Sequence, residues 1–185
     1  MKFINLTLDC TDQLLNLEGE MYWQGAKWRN LWEREAKEKF RGFIEDYLTN
    51  FPKGCFGLID DRGELLGAMI LIKISGFKPI PYLHKFSDYL EENGEIAYVS
   101  FFVVKKASNE EEVANKLYDH AEEVALTKIG CKNMAVVIYS SPLEERVLKG
   151  HNYERLGEQF EWEIYPSIKV PVWIYHYDLL FEESR

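Results

Sequence analysis

The sequence predicts an α/β fold built around a parallel βαβ unit, and three consecutive segments between Glu95 and Tyr139 support this prediction. The first segment, EIAYVSFFVV, is rich in β-branched and aromatic residues, which is typical of a strand buried on both faces. A helical segment follows, with apolar residues three or four positions apart and Gly130 placed where a helix ends. The third segment, MAVVIY, is a second apolar strand. Two apolar strands joined by one helix favour a parallel pair with a right-handed crossover.

The residues before this unit predict a strand, two helices and a β-hairpin. The strand begins at Phe3, a first helix follows it, and a second helix runs from about Lys27 to Leu48. The hairpin joins two apolar runs, residues 55–60 and 64–74, through the turn Asp61-Arg62-Gly63. A short loop with Asp and Gly between apolar runs is a strong hairpin signal.

The remaining segments complete one domain, residues 1–185. Residues 76–94 form a long connection with two prolines and several aromatic residues, a length that is more often functional than idle. A short helix is predicted over Pro142–Lys149 and two strands over Tyr153–Ile164 and Val172–Phe181. The aromatic final strand is expected to form an exposed edge, which would favour a homodimer.

Composition and charge exclude several classes of function. The net charge is −9 and no run of five basic residues occurs, so nucleic acid is not expected as a partner. Cys10, Cys55 and Cys131 form no CxxC pair and the four histidines are dispersed, so neither a disulfide framework nor a metal site is predicted. No apolar run approaches the ~18 residues of a membrane span, and MKFINLTLDC is too short and polar for a signal peptide. These features predict a cytoplasmic protein that uses neither metal nor membrane.

The predicted order of elements is β, α, α, β, β, β, α, β, α, β, β, and one loop within it carries a further pattern. The fourth strand ends at Val104, and Asn109, Glu112 and Ala114 then fall on the three defined positions of an Arg/Gln-x-x-Gly-x-Gly/Ala loop, where Ala114 matches outright. Order and loop together resemble the GNAT superfamily, the Gcn5-related N-acetyltransferases. The resemblance implies a mixed, mostly antiparallel sheet with helices on both faces and a central parallel unit, with acetyl-CoA as cosubstrate.

The resemblance also implies where acetyl-CoA binds. The fourth and fifth strands are expected to splay apart and admit the pantetheine arm, whose amides would pair with the backbone of Phe102, Val103 and Val104. The turn Asn109–Ala114, which contains Glu112 and the apolar Val113, would hold the pyrophosphate at a helix N-terminus. Ser141 stands near the place of the family's Asn after the fifth strand.

Two departures from the family pattern keep other interpretations open. Glu110, Glu111 and Glu112 begin the helix, where their charges would complement the helix dipole and repel a phosphate that they faced. Ser108 and Glu111 also form a capping box, so this helix could be purely structural. The alternative functional interpretation has the glutamates facing solvent, with Lys105 or Lys106 compensating the phosphate charge.

Acetyl transfer needs a proton acceptor for the amine and a proton donor for the departing thiolate. Tyr98 falls where the family often places a carboxylate on the fourth strand, and Glu95 lies close to it. The family's tyrosine that protonates the thiolate is replaced by Leu148, so Tyr139, Tyr153, His151 or water must serve instead. The resemblance implies the need for such a donor.

Several aromatic residues are candidates for binding the amine acceptor. Trp23 and Trp28 belong to an aromatic cluster on the first two helices, which wall the acceptor site in the resembled family, and Tyr82 in the long connection could close the same cleft. Packing in the core is the alternative role for these rings. The sequence therefore predicts an N-acetyltransferase acting on a primary amine of a small molecule or protein. The alternatives are an inactive binding or regulatory module of the same fold and a transferase for a longer acyl-CoA.

Overall fold

The structure is a computed structural model, and it describes residues 1–74, 95–139, 141–166 and 168–179. Seven strands form one sheet in the order β1-β2-β3-β4-β5-β7-β6. The strands are β1 (Lys2–Asn5), β2 (Cys55–Ile59), β3 (Leu65–Ile74), β4 (Ile96–Val104), β5 (Asn133–Ile138), β6 (Glu154–Tyr165) and β7 (Ile168–Asp178). The α-helices are α1 (Thr11–Met21), α2 (Ala26–Leu31), α3 (Lys37–Asn50), α4 (Glu110–Val124) and α5 (Pro142–Gly150). The predicted order of elements and the mixed α/β class are confirmed.

The central βαβ unit is confirmed as β4, α4 and β5. β4 and β5 pair in parallel, from Ile96 opposite Asn133 to Val99 opposite Val136, and β4 runs on to Val104. Gly130 ends the helical segment with a φ of 78°, a left-handed conformation that glycine adopts without steric cost.

The predicted hairpin is formed by β2 and β3, which pair in antiparallel fashion. Its turn is held by the Asp60 carboxylate, whose Oδ1 accepts hydrogen bonds from the backbone N–H groups of Arg62 at 2.9 Å and Glu64 at 2.8 Å. Gly63 adopts a φ of 84°, which explains why a glycine stands at this position.

The second predicted helix, from about Lys27 to Leu48, is interrupted by a π-helical turn. Residues Trp32–Ala36 form a π-helical turn between α2 and α3. In this turn the Trp32 indole is 1% exposed and lies against Gly19 of α1. A Cβ on Gly19 would come within 2.6 Å of Trp32 Nε1, so the close approach of these two segments requires glycine.

The chain folds into two compact units. Unit 1 contains Met1–Ile70 with Phe101–Asp119, and unit 2 contains Leu71–Ser100 with His120–Arg185. Among the fully buried side chains of unit 1 are Leu14, Leu15, Trp32, Ile44, Leu58, Leu117 and Tyr118. Those of unit 2 include Ile74, Ile96, Met134, Leu148 and Val172. The single functional domain inferred from the sequence stays a prediction.

The expectation that the final strand forms an exposed edge is wrong. β7 pairs with β5 on one side and with β6 on the other, so its backbone groups are used on both sides. The reason is that β6 takes the outer position and the chain then returns inward, which buries Val172 and Ile174 of β7. The predicted homodimer therefore loses the argument that supported it.

Gly67 of β3 offers a test of how α4 is seated beside the sheet. A Cβ at this position would lie 2.9 Å from the carbonyl oxygen of Val103, 2.9 Å from Leu117 Cδ1 and 3.0 Å from Val113 Cγ1. We expect Gly67→Ala to lower the free energy of unfolding by about 1–3 kcal/mol, because a backbone carbonyl cannot give way as a side chain can. Urea denaturation measures the change.

Gly42 supplies the matched control for this substitution. It lies inside α3, and a Cβ there would meet nothing within 4 Å. Gly42→Ala should therefore stabilise the protein by up to about 1 kcal/mol, the difference in helix propensity between the two residues. Equal effects of the two substitutions would show that the contacts around Gly67 do not limit packing.

Candidate cofactor and catalytic site

The last residues of β4 meet the end of α1 at two main-chain groups. Tyr22 Oη donates a hydrogen bond to the carbonyl oxygen of Phe102 at 3.0 Å. The N–H of Val104 points to Met21 Sδ at 3.4 Å. These groups belong to the three-residue segment predicted to pair with pantetheine, and Val103 between them is fully buried. Their partners are side chains, which a ligand can replace without unpairing a strand.

The segment Lys105–Asn109 joins β4 to α4 within the same unit. The Asn109 carbonyl accepts the Val113 N–H at 3.0 Å, so Asn109 stands at the start of the helix as the sequence predicted. Val113 and Ala114 are buried against the sheet, whereas Glu112 is exposed. The first turn of α4 thus sits directly beyond the end of β4, and its leading N–H groups have no partner within the helix.

Charge at this turn is unevenly distributed. Glu111 and Glu112 are exposed, and Glu112 is 3.7 Å from Lys116 of the same helix. Lys105 is 2.5 Å from the carboxylate of Glu64, so its charge is already compensated. Lys106 is exposed and has no ion-pair partner among the residues that the structure describes. Of the two lysines that the sequence offered for phosphate, Lys106 is the one with uncompensated charge.

A buried carboxyl group that the sequence analysis missed lies on α1. Glu18 is 6% exposed, and its Oε1 accepts a hydrogen bond from Trp23 Nε1 at 3.2 Å. Burial raises the pKa of Glu18 to about 8, although the Trp23 hydrogen bond acts in the opposite direction. The signal was present in the sequence, because position 18 follows Leu14 by four and Leu15 by three and so lies on the apolar stripe.

The predicted aromatic cluster is formed, and most of it is core. The Trp23 ring lies 5.1 Å from that of Trp32, 5.7 Å from that of Phe40 and 6.2 Å from that of Trp28. Trp23 is 3% exposed, whereas Trp28 is half-buried at the border of the cluster. Of the two tryptophans predicted to bind the acceptor, Trp28 is therefore the one that keeps exposed surface, and Lys27 Nζ lies 6.0 Å from its ring centroid. Tyr82, the third residue predicted to bind the acceptor, lies outside the described residues.

The two residues predicted as proton acceptors on β4 belong to unit 2. Glu95 precedes β4, is exposed, and lies 2.5 Å from Lys73 Nζ. This contact raises the pKa of Lys73, first through the hydrogen bond and then through the charge of Glu95. Tyr98 is 4% exposed and stands opposite Ala135 of β5. Glu95 is thus an exposed carboxyl group paired with Lys73, and Tyr98 is a buried phenol.

The predicted residues after β5 also belong to unit 2. Tyr139 directly follows the strand and is half-buried. Ser141 is the N-cap of α5, and its Oγ accepts the Glu144 N–H at 3.3 Å, a structural role that satisfies the helix start. Leu148, which stands at the family's tyrosine position, is fully buried.

The other two proton donors considered from sequence have partners of their own. His151 Nδ1 is 2.9 Å from Glu122 Oε1. Tyr153 Oη contacts Met134 Sδ at 3.4 Å, and burial raises the pKa of Tyr153 well above its usual range. Asn152 adopts a φ of 59°, a left-handed conformation that asparagine tolerates better than most residues other than glycine.

Among the described residues, no group of three or more His, Cys, Asp or Glu side chains is placed to hold a metal ion. None of the described helices has the length and apolar character needed to cross a membrane.

No known family model and no curated protein matches the sequence. Solved structures do match it. An acetyltransferase of the GNAT family from Streptococcus pneumoniae is 11% identical, with a TM-score of 0.62 over 96% of this chain and 98% of that chain. This chain has the GNAT fold. A polyamine N-acetyltransferase of Drosophila melanogaster, which forms N-acetylagmatine, shares the GNAT fold at a TM-score of 0.66 and 13% identity, over 96% of this chain and 99% of its own.

A probable acetyltransferase from Staphylococcus epidermidis adds a third example of the GNAT fold. It is 16% identical, and the two chains align over 96% and 98% of their lengths with a TM-score of 0.65. The resemblance that the sequence showed in element order is therefore confirmed at the level of fold. At these identities the shared feature is the GNAT fold itself.

Proposed function

We propose that this protein transfers an acetyl group from acetyl-CoA to a primary amine of a small molecule or a protein. The observation that carries the proposal is the end of β4, where the Phe102 carbonyl and the Val104 N–H face side chains of α1. Pantetheine contains two amide groups, and an extended amide chain pairs with exposed strand backbone as an added strand would. Phe102 and Val104 supply one acceptor and one donor for such pairing.

The helix that follows β4 supports the phosphate end of the same proposal. An α-helix N-terminus has unpaired N–H groups and a partial positive charge, which suit a pyrophosphate. In this chain the turn Asn109–Ala114 is in the same compact unit as Phe102 and Val104. The exposed Lys106 stands between them in sequence and can compensate phosphate charge.

In the reaction, the amine nitrogen attacks the thioester carbonyl, a C–N bond forms, the C–S bond breaks and CoA leaves as a thiol. Glu95 is the carboxylate proposed from sequence to take up the proton, and it forms an ion pair with Lys73. Tyr98 is its proposed alternative. Tyr139 is the proposed proton donor to the thiolate, with its half-buried ring at the end of β5 in support. Ser141 contributes as the cap of α5.

A binding or regulatory module of the GNAT fold is the second candidate, and the acidic first turn of α4 favours it. Three carboxylates at this turn repel a diphosphate that approaches closely. A transferase for a longer acyl chain is less well supported, because Trp23 and Trp32 are packed against each other in the core. We also propose a cytoplasmic location, which fits Cys10, Cys55 and Cys131 being free thiols.

Acetyl-CoA binding tests the cofactor half of the proposal. At 100 times its dissociation constant, acetyl-CoA should stabilise the protein by about 2.7 kcal/mol, seen as a rise in Tm. Tyr22→Phe removes the hydroxyl that competes for the Phe102 carbonyl at 3.0 Å, so this variant should bind acetyl-CoA up to about ten times more tightly in calorimetry. Tyr47→Phe, on α3, is the control and should leave the affinity unchanged.

Release of CoA thiol in the presence of a panel of primary amines tests the transfer half. Amine-dependent release with acetyl-CoA faster than with hexanoyl-CoA would support the proposed enzyme over the longer-chain alternative. Binding of acetyl-CoA without turnover of any amine would favour the module. If millimolar acetyl-CoA shifts the Tm of neither the wild type nor Tyr22→Phe, the proposed function is wrong.

A further inference from the structure

We propose that Glu18 is a catalytic residue, the base that takes the proton from the attacking amine. This inference rests on the proposed function and assigns the proton transfer in it to α1 instead of the start of β4. It follows from the position of Glu18 on the helix, from its buried environment and from its unused oxygen.

Glu18 shares one face of α1 with two side chains that contact the backbone proposed to pair with pantetheine. Met21 and Tyr22 follow it by three and four residues, which is the spacing of neighbours on a helix surface. Both of these side chains contact the end of β4, at Val104 and Phe102. Since the phosphates are proposed to lie beyond Val104, the thioester lies toward Phe102, and Glu18 stands one helical turn from its contact residue Tyr22.

The environment of Glu18 fits a functional carboxyl group better than a structural one. It is 6% exposed, and Trp23 Nε1 donates to its Oε1 at 3.2 Å. Its Oε2 accepts no hydrogen bond from any of the residues that the structure describes. Oε2 is not among the buried side-chain oxygens that lack a hydrogen bond, so it keeps some access to solvent in an otherwise buried carboxyl group. An amine N–H would provide the missing donor.

No neighbouring charged group in the described part of the chain contributes to the pKa shift of Glu18. On α3, which packs against α1, Arg41 is engaged with Asp12 at 2.7 Å and lies near Glu38 and Glu45 at 3.4 and 3.8 Å. These groups form an exposed cluster on the surface. On α1 itself, Glu20 is exposed and points away from the buried face. Burial is therefore the leading influence on the protonation of Glu18.

The proton balance of the step is simple. The substrate ammonium gives one proton to the Glu18 carboxylate and becomes a neutral amine, whose lone pair forms the C–N bond with the acetyl carbon. The C–S bond breaks, and the second proton of the nitrogen leaves with CoA as its thiol. Glu18 then returns its proton to water.

The pH dependence of turnover distinguishes catalysis by Glu18 from a structural effect. The experiment compares wild type, Glu18→Gln, Glu18→Asp and the control Glu20→Gln with acetyl-CoA and phenethylamine, which titrates near the lysine value of about 10.4. For the wild type, kcat/KM should rise with pH through the pKa of Glu18, at about 8. The Glu18→Gln variant should lack this rise with pH. Its kcat/KM should be at least about 100-fold lower than that of the wild type, because a positioned base contributes roughly that much or more.

The remaining outcomes separate this inference from the proposed function. Glu18→Asp should keep the rise with pH at a reduced rate, and Glu18→Gln should bind acetyl-CoA as tightly as the wild type in calorimetry. If Glu18→Gln keeps the rise with pH and a kcat/KM within about threefold of the wild type, Glu18 is not the base, while the acetyltransferase proposal stands. If the wild type acetylates no amine of the panel, the proposed function fails and this inference fails with it.

Discussion

At pH 8 and above, the Glu18→Gln variant is expected to be more stable than the wild type, by as much as about 5 kcal/mol of unfolding free energy. Burial raises the pKa of this carboxyl from its ordinary value of 4.5 to about 8. Between these values the folded protein holds a proton that the unfolded chain has lost, so the stability of the wild type falls as pH rises. The upper limit follows from about 1.36 kcal/mol for each pH unit of that window. Glutamine has no proton to lose.

Urea denaturation at several values between about pH 5 and pH 9 measures this effect. The difference between variant and wild type should be small near pH 5 and should grow until the pH exceeds about 8. Taking the difference removes the titration of other groups, such as Asp60, whose pKa is lowered by the Glu64 backbone N–H. Glu20→Gln, an exposed change on the same helix, should give a flat difference. A flat difference for Glu18→Gln would show that the carboxyl is solvated.

The parts of the fold that the sequence predicted are those in which local preference and final packing agree. The apolar strands β4 and β5, with an amphipathic helix between them, have one favourable arrangement, and the structure shows it. Gly130 was predicted to stand where a helix ends, and it does so with a positive φ. The hairpin of β2 and β3 was predicted from a short loop that contains Asp and Gly, and the structure shows these two strands paired.

The parts that the sequence did not predict depend on contacts between distant segments. The π-helical turn at Trp32–Ala36 exists where the Trp32 ring meets Gly19, a contact that periodicity within one helix cannot reveal. β7 lies between β5 and β6 in the sheet, and the sequence of a strand does not specify which strands will be its neighbours. An alternating pattern defines the faces of a strand and leaves its neighbours undefined.

The candidate site shows the same division. The backbone of Phe102–Val104 and the start of α4 could be located from the sequence, because the family pattern fixes their order along the chain. The occupation of these backbone groups by Tyr22 and Met21 could not, since it joins residues far apart in sequence. Glu18 was overlooked because a glutamate is normally a surface residue, although its spacing placed it on the buried face.

Replacing Glu110, Glu111 and Glu112 together with glutamine is expected to strengthen acetyl-CoA binding on the order of tenfold at low ionic strength. The three residues form the first turn of α4, where the proposed pyrophosphate would lie. Each carboxylate repels a phosphate charge by a fraction of a kcal/mol when water lies between them, and about 1.4 kcal/mol in total corresponds to tenfold. Calorimetry at about 0.05 M and 1 M salt measures the change, which should shrink at high salt as the Debye length falls.

The same substitution should make the protein less stable, and this opposite sign makes the prediction specific. Acidic residues in the first turn of a helix complement its dipole by about 0.3–1 kcal/mol each, so the free energy of unfolding should fall by about 1–2 kcal/mol. A control variant with glutamine at Glu33, Glu35 and Glu38 changes the net charge equally at exposed positions near α3 and should leave the affinity unaltered. If both triple variants bind acetyl-CoA like the wild type, α4 does not hold the phosphates. If only the α4 variant binds, the three glutamates close the anion site, and the GNAT fold of this chain serves a function other than acetyl transfer.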